Sequence, residues 1–234
     1  MENILDFARG PLFRFSLAVM LLGLLRILII DLIAIIVAYR RAGDTTLPWN
    51  FIIRRTFKWL FPFNRALANR PAYSLLSIFF HVGLLLVPIF LFAHVELWHK
   101  AIGIAWPTLP KPTADVLTVI TIVCAIGLFL GRIFSQTSRF ISRKQDYLWP
   151  ILIIMPFVSG FACASVSLSP SGYQTLMLIH ILSADVIFLL MPFTKIAHCI
   201  LMPLSQIISN LAWRFPADTD DDVCTTLNKK GAPV

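Results

Sequence analysis

The sequence has few charged residues and few cysteines, and its cysteines form no recognisable motif. Only 14% of the 234 residues are Asp, Glu, Lys or Arg. The cysteines show neither a CxxC nor a CxxCH spacing, so a disulfide framework, a zinc site and a covalently attached c-type haem are all unsupported. Three of them fall in apolar runs, where cysteine usually serves as a small core residue. The four are Cys124, Cys163, Cys199 and Cys224.

The sequence also lacks a GxGxxG segment, a phosphate-binding loop and a recognisable arrangement of nucleophile and base. A complete dehydrogenase or reductase site is therefore not predicted within this chain. The expected role is that of a subunit that works with partner proteins.

Apolar residues dominate instead. They make up 58% of the chain, and the mean hydropathy is +0.80, which predicts an all-α integral membrane protein rather than a soluble domain. Acidic Glu2 and Asp6 precede the first apolar run, which argues against a cleavable signal peptide. We expect one membrane domain over 1–215, an antiparallel bundle, and an acidic, disordered cytoplasmic tail over 216–234. The five predicted spans are about 11–39, 73–98, 115–134, 147–168 and 173–204.

The net charge of +8 indicates membrane topology rather than binding to nucleic acid, because the basic residues cluster between spans. Residues 40–70 contain seven basic residues and a single acid, Asp44. This excess predicts a cytoplasmic loop, and therefore a periplasmic N-terminus and a cytoplasmic C-terminus. Aromatic residues interleave with the charges, so part of this loop is expected to lie in the membrane interface as an amphipathic helix. Anionic lipid or a cytoplasmic partner protein would explain the same residues.

Histidines inside the predicted spans are the main functional signal, since ionisable groups in a membrane usually serve a function. His180 and His198 lie 18 residues apart in the fifth span. In a continuous helix that spacing is five turns and roughly 27 Å, so both rings would leave one face near opposite membrane surfaces. The pair predicts ligands for two stacked cofactors.

The second span supplies His81 and His94. Because it runs antiparallel to the fifth, His81 is expected beside His198 at the cytoplasmic side, and His94 beside His180 at the outer side. This is the ligand count for two bis-histidine b haems. The 13-residue spacing corresponds to about 20 Å and turns the second ring about 140° away in an ideal helix. Pro88 lies between them and predicts a kink or irregularity.

The fourth span carries a group of small residues that permit close approach of another helix or of a flat macrocycle. They are Ser159, Gly160, Ala162 and Ala164.

Three segments resemble the membrane cytochrome b (gamma) subunit of respiratory nitrate reductases. They are SIFFHVGLL, QDYLWPILIIMPFVSG and LMLIHILSADVIFLLMPFTKIAH. HVGLLLVPIFLFAH and DYLWP are more similar still to cytochrome b subunits of the transmembrane redox complexes of sulfate-reducing bacteria. The resemblance covers about residues 10–215. The second span departs from it, because its histidines are further apart than in nitrate reductase.

The resemblance implies two haem b groups, with His81, His94, His180 and His198 as the axial ligands of the haem iron. It also implies electron exchange with menaquinone or another quinone during anaerobic respiration. The expected partners are a cytoplasmic iron–sulfur subunit, a periplasmic multihaem cytochrome c, or both. The location would be the bacterial cytoplasmic membrane.

Other polar residues are candidates for contacts with these cofactors. Arg26 and Lys195 are candidates for haem propionates, although a basic side chain that snorkels to the interface would look the same. His99 and Lys100, at the outer end of the second span, are candidates for hydrogen bonds or proton exchange with a quinone. Asp185, inside the fifth span, would either relay protons or hydrogen-bond an adjacent helix while protonated.

Two other classes of protein fit the composition. Ferric-reductase-like membrane proteins also hold two haems between paired histidines, but they usually add a flavin and NADPH domain. A haem-free membrane anchor or transporter subunit is the second alternative, and an absorption spectrum separates it from the haem proteins.

Overall fold

The computed structural model describes residues 1–41, 49–61, 70–212 and 224–228. All regular structure among these residues is helical, with no β-strand, which confirms the predicted all-α class. The helices of eight or more residues are α1 (Glu2–Arg41), α2 (Trp49–Leu60), α3 (Pro71–Phe90), α4 (Phe92–Ile102), α5 (Lys111–Phe134), α7 (Lys144–Ser165), α8 (Pro170–Leu190) and α9 (His198–Ala212). Helix α6 is a short connection, Gln136–Ile141.

Five helices are long and apolar enough to cross a bilayer, as predicted. They are Glu2–Arg41, Pro71–Phe90, Lys111–Phe134, Lys144–Ser165 and Pro170–Phe193. Many large apolar side chains on these helices are exposed, as expected for helices that face lipid. The chain therefore has the pattern of a multi-pass membrane protein. The predicted spans differ from these helices mainly at their ends and at two internal breaks.

Helix α1 has 40 residues, which at about 1.5 Å per residue gives roughly 60 Å, twice the thickness of a hydrocarbon core. It begins at Glu2, earlier than the predicted residue 11. A π-helical turn, Ala8–Leu12, contains Pro11, which lacks the N–H of a regular helix. The helix therefore has length to spare beyond one membrane crossing.

The chain divides into two compact units. The first comprises Met1–Leu17 and Phe63–Leu189, and the second comprises Ala18–Pro62 and Leu190–Val234. In the first unit α5 packs between α3 and α7. Gly83 is buried at the contact of α3 with α5, where a Cβ atom would collide with the hydroxyl of Thr121. In the second unit α2 packs on α9.

The second predicted span, 73–98, is two helices. Helix α3 ends at Phe90, Leu91 adopts an extended conformation (φ −67°, ψ 130°), and α4 begins at Phe92. Pro88, two residues before the end of α3, removes one backbone donor from its last turn. The predicted irregularity near Pro88 is confirmed, and the ideal-helix estimates of distance and angle between His81 and His94 do not apply across it.

The prediction of one continuous helix over 173–204 is wrong. Helix α8 ends at Leu190, and two short 3₁₀ turns, Met191–Phe193 and Lys195–Ala197, flank an extended Thr194 (φ −132°, ψ −179°). Helix α9 then begins at His198. Pro192 explains the start of the break, because its ring and missing N–H prevent regular continuation of the helix. The five-turn, one-face relation between His180 and His198 is therefore not a property of the fold.

The loop predicted over 40–70 contains the expected amphipathic helix, α2. Its flanking residues, 42–48 and 62–69, lie outside the described residues, as does Asp44. The predicted domain boundary at 215 and most of the tail, 216–223 and 229–234, also lie outside them. Within the tail, residues 224–226 form one helical turn.

Candidate functional site

His94 and His180 lie next to each other in the first unit. Their ring centroids are 6.1 Å apart and their planes are inclined by 18°. Two imidazoles that bind one metal ion from opposite sides, each through a bond of about 2 Å, have centroids roughly 6 Å apart. The observed separation and nearly parallel planes fit that arrangement. The structure therefore brings together the two histidines predicted for the outer side.

The break after α3 determines where His94 lies. It leaves three successive carbonyls, those of residues 88–90, without the helical donors that they would otherwise accept from. The Nδ1 of His94 donates to the carbonyl of Pro88 (2.9 Å). The indole of Trp106 donates to that of Ile89 (2.8 Å), and the amide of Leu109 to that of Phe90 (2.8 Å). Each of these carbonyls accepts a hydrogen bond from its own donor, so the break leaves none of the three without a partner.

His180 is held by α7. Its Nδ1 donates to the carbonyl of Pro156 (2.8 Å). A Cβ atom on Gly160, one turn further along α7, would lie 2.8 Å from Cε1 and 2.9 Å from Nδ1 of His180. Only glycine leaves room for the ring at this distance. The close approach predicted at the small residues is confirmed at Gly160, and the approaching group is the imidazole of His180.

His81 and His198 share one feature with this pair. The Nδ1 of His81 lies 2.7 Å from the carbonyl of Ser77, and that of His198 lies 2.8 Å from the carbonyl of Lys195. A carbonyl oxygen can only accept, so in all four histidines Nδ1 carries the hydrogen and Nε2 carries the lone pair. Metal-binding histidines usually fix their tautomer in this way.

The predicted pairing of His81 with His198 stays a prediction. His81 lies in the first unit and His198 in the second, and each is exposed within the chain. Their carbonyl partners come from the preceding turn of their own segments, so each imidazole is oriented locally.

Asp185 is the most deeply buried carboxyl group among the described residues, with 3% of its surface exposed. Ser16, on α1, lies 2.8 Å from its Oδ1 and also 3.0 Å from the carbonyl of Phe13. The hydroxyl of Ser16 is the donor to both acceptors, and the shorter of the two contacts is the one to Asp185. Oδ2 is buried without a hydrogen bond among the described residues. Asp185 thus has a hydrogen-bond partner on another helix, and both predicted roles stay predictions. No pattern in the sequence singles out Ser16.

The remaining predicted site residues are exposed. Arg26 lies on α1 and Lys195 in the 3₁₀ turn before α9, both in the second unit. His99 and Lys100 occupy the last turn of α4, where Lys100 forms an ion pair with Glu96 (3.3 Å). Their contacts with a haem or a quinone stay predictions.

The described residues contain no group of three or more His, Cys, Asp and Glu side chains that could hold a bare metal ion. A haem iron needs fewer protein ligands, because the porphyrin supplies four nitrogens and the chain supplies only the axial ligands. Two imidazoles, one for each side of the porphyrin, are therefore a sufficient donor set for that cofactor.

Comparison with known proteins gives one relative. A protein of Nitratidesulfovibrio vulgaris (strain Hildenborough) is 31% identical over 155 residues, which cover 66% of this chain and 67% of the relative. No protein-family model matches the sequence. No solved structure matches it either. By this identity and coverage, the chain belongs to the same family as the N. vulgaris protein.

Proposed function

We propose that this chain is the di-haem b membrane subunit of a multi-subunit respiratory complex. It transfers electrons across the bacterial cytoplasmic membrane between a quinone pool and iron–sulfur or multihaem cytochrome partners. The observation that carries the proposal is the pair His94 and His180, with ring centroids 6.1 Å apart. Five helices able to span a membrane support it further, as does the family relation to a bacterial protein.

The residues present fit a haem held between two histidines. His94 and His180 would hold one haem, and His81 and His198 the other. The Nδ1-to-carbonyl hydrogen bonds orient each ring and leave Nε2 as the ligand nitrogen. When bound, such haems supply one-electron redox chemistry without an open iron position for oxygen.

The chain's own contribution at the outer site is to fix the two imidazoles. His94, on α4, is oriented by the carbonyl of Pro88 in the last turn of α3, and His180 by that of Pro156 on α7. Gly160 admits the ring of His180 against the backbone of α7. Because these contacts involve backbone atoms in helices, both ligands would be positioned before the cofactor binds, which limits reorganisation on electron transfer.

Charged residues would complete the cofactor sites. Arg26 and Lys195 are proposed as cations for haem propionates. His99 and Lys100 are proposed as hydrogen-bonding groups for a quinone, with His99 able to take a proton from a quinol. Asp185, which accepts a hydrogen bond from Ser16, is proposed as a group that relays protons. The proposed orientation has the N-terminus in the periplasm and the C-terminus in the cytoplasm.

Absorption spectroscopy on the purified protein tests the function. We expect the Soret and α bands of bis-histidine b haem, and reduction of those bands by a quinol analogue under anaerobic conditions. A purified, folded protein without haem bands would overturn the proposal in favour of a haem-free anchor or transporter subunit. Haem that no quinol analogue reduces would leave a di-haem protein but remove the quinone.

A further inference from the structure

Helix α2 has three distinct faces and contains no acidic residue. The first face packs on α9. Ile52 is 1% exposed, Leu211 is fully buried, and the hydroxyl of Thr56 accepts a hydrogen bond from the side chain of Asn210 (3.2 Å). This face is occupied within the second unit, so it is not available to another partner.

The second face is an exposed apolar row. Trp49, Ile53, Phe57 and Phe61 follow one another at intervals of four residues, which places them along one side of the helix. They are 43%, 50%, 60% and 51% exposed. A row of large apolar side chains that are about half exposed is unusual on a water-exposed helix but normal on a helix that lies in a membrane interface.

The third face is basic. Arg54, Arg55 and Lys58 are all exposed. Successive residues of a helix are 100° apart, which places this face about 125° around the helix from the apolar row. The guanidinium of Arg55 lies 5.8 Å from the ring of Phe51, an attraction between a cation and a ring face that keeps the charge close to the helix surface. Phe51 lies on the basic face itself, between Lys58 and Arg55, so this face presents an aromatic ring beside its cations, which suits the level of anionic headgroups.

An aromatic contact joins the first turn of α2 to the last turn of α1. The ring of Trp49, the first residue of α2, lies 5.9 Å from that of Tyr39, with an interplanar angle of 23°. Tyr39 is in the last turn of α1, directly before Arg40 and Arg41. Tyr and Trp are both residues that prefer the membrane interface, so this contact is of the kind expected for a helix at that level.

We propose that α2 is an interfacial helix that binds anionic phospholipid. The row Trp49, Ile53, Phe57 and Phe61 enters the acyl boundary, and Arg54, Arg55 and Lys58 bind the headgroup phosphates. The face with Ile52 and Thr56 stays on α9. This assignment is independent of haem and of the direction of electron flow.

Hydrogen exchange of the α2 amides, measured by mass spectrometry, tests the proposal. The full chain is placed in nanodiscs of phosphatidylcholine alone and of an equal mixture of phosphatidylcholine and phosphatidylglycerol. We expect α2 to be more protected in the mixture. The variant Arg54→Gln/Lys58→Gln should lose most of that added protection, up to roughly thirtyfold, the equivalent of about 2 kcal/mol for two basic residues at an anionic surface.

The control variant Arg139→Gln/Lys144→Gln makes the same charge change at exposed positions outside α2, and it should keep the added protection. Raising the salt concentration should reduce that protection in the unmodified protein, because screening weakens headgroup contacts. This arm requires no substitution, and the amides of α5 report whether each sample is folded. Equal protection of α2 in both lipid mixtures would overturn the proposal and leave the basic face for an acidic protein partner. An equal loss in the control variant would also overturn it.

Discussion

His94 and His180 each donate a hydrogen bond from Nδ1 to the backbone carbonyl of a proline, Pro88 for one and Pro156 for the other. Their rings lie 6.1 Å apart between centroids and within 18° of parallel. Neither ring is oriented by a flexible side chain. Changes that shift the local backbone or crowd a ring should therefore disturb the site even when both histidines remain.

Gly160 gives the first prediction. In the variant Gly160→Ala, the added methyl would lie 2.8 Å from Cε1 of His180, so the ring must move away from the carbonyl of Pro156. We expect a loss of about 1–3 kcal/mol in the free energy of unfolding, together with loss of haem from this site. Thermal unfolding in detergent and haem content per chain measure the two effects.

The matched control is Gly131→Ala, because a Cβ atom there meets no other heavy atom within 4 Å. Replacing glycine by alanine inside a helix should be neutral or stabilising when space is available. If the two variants behave alike, Gly160 does not make room for His180.

Trp106 gives the second prediction. The variant Trp106→Phe keeps an aromatic ring but removes the donor to the carbonyl of Ile89. The loss should cost about 0.5–1.5 kcal/mol in stability, and it should loosen the break that positions His94. In a redox titration we expect the midpoint potential of one haem to shift while the other keeps its value.

Trp98→Phe serves as the comparison, since Trp98 is half-buried on α4 and its indole has no recorded hydrogen bond among the described residues. It should leave both potentials unchanged. Equal shifts of both haems in Trp106→Phe would show a general loss of structure and remove Trp106 from the positioning of His94.

Ser16 and Asp185 give the third prediction. The variant Ser16→Ala leaves the buried carboxyl of Asp185 without its observed partner, which should destabilise the first unit by about 1–3 kcal/mol. Asp185→Asn retains both a donor and an acceptor and should cost less. The double variant Ser16→Ala/Asp185→Leu removes both partners, so it should be less destabilised than the sum of Ser16→Ala and Asp185→Leu measured singly.

Thermal unfolding of the unmodified protein, Ser16→Ala, Asp185→Leu and the double variant in the same detergent provides the cycle, and Asp185→Asn is measured beside them. Strict additivity would contradict an energetic coupling between Ser16 and Asp185. The rate of haem reduction by quinol, measured on the same samples, separates a structural role from a proton-transfer role: Asp185→Asn should slow the reduction only if the carboxyl exchanges protons.

The sequence predicted the membrane-spanning helices well, because a bilayer demands long apolar segments and tolerates few exceptions. It also predicted that Pro88 would interrupt the second span and that the small residues near Gly160 would permit close approach. These signals are local. Each depends on what a proline or glycine does to its own backbone.

The fifth span shows what hydropathy and histidine spacing do not predict. Its apolar run continues past Leu190, so hydropathy and histidine spacing favoured one helix to residue 204. The structure instead has an extended Thr194 after Pro192 and restarts the helix at His198. Hydropathy records whether a residue suits lipid and contains no information on φ and ψ. Pro192 is the residue in the sequence that indicates the break.

Contacts between distant segments were also beyond the sequence. Ser16 is 169 residues from Asp185 in the sequence. Trp106 donates a hydrogen bond to the carbonyl of Ile89, which has no helical donor because the helix breaks at Leu91. Neither Ser16 nor Trp106 belongs to a periodic pattern or a motif, so only the folded chain identifies these two contacts.

Haem content per chain decides whether His94 and His180 hold a cofactor. We expect two b haems in the unmodified protein, one in His180→Ala and one in His94→Ala, with both retained in His99→Ala. A purified protein that keeps both haems after either His94 or His180 is replaced would contradict the assignment. So would an unmodified, folded protein that contains none.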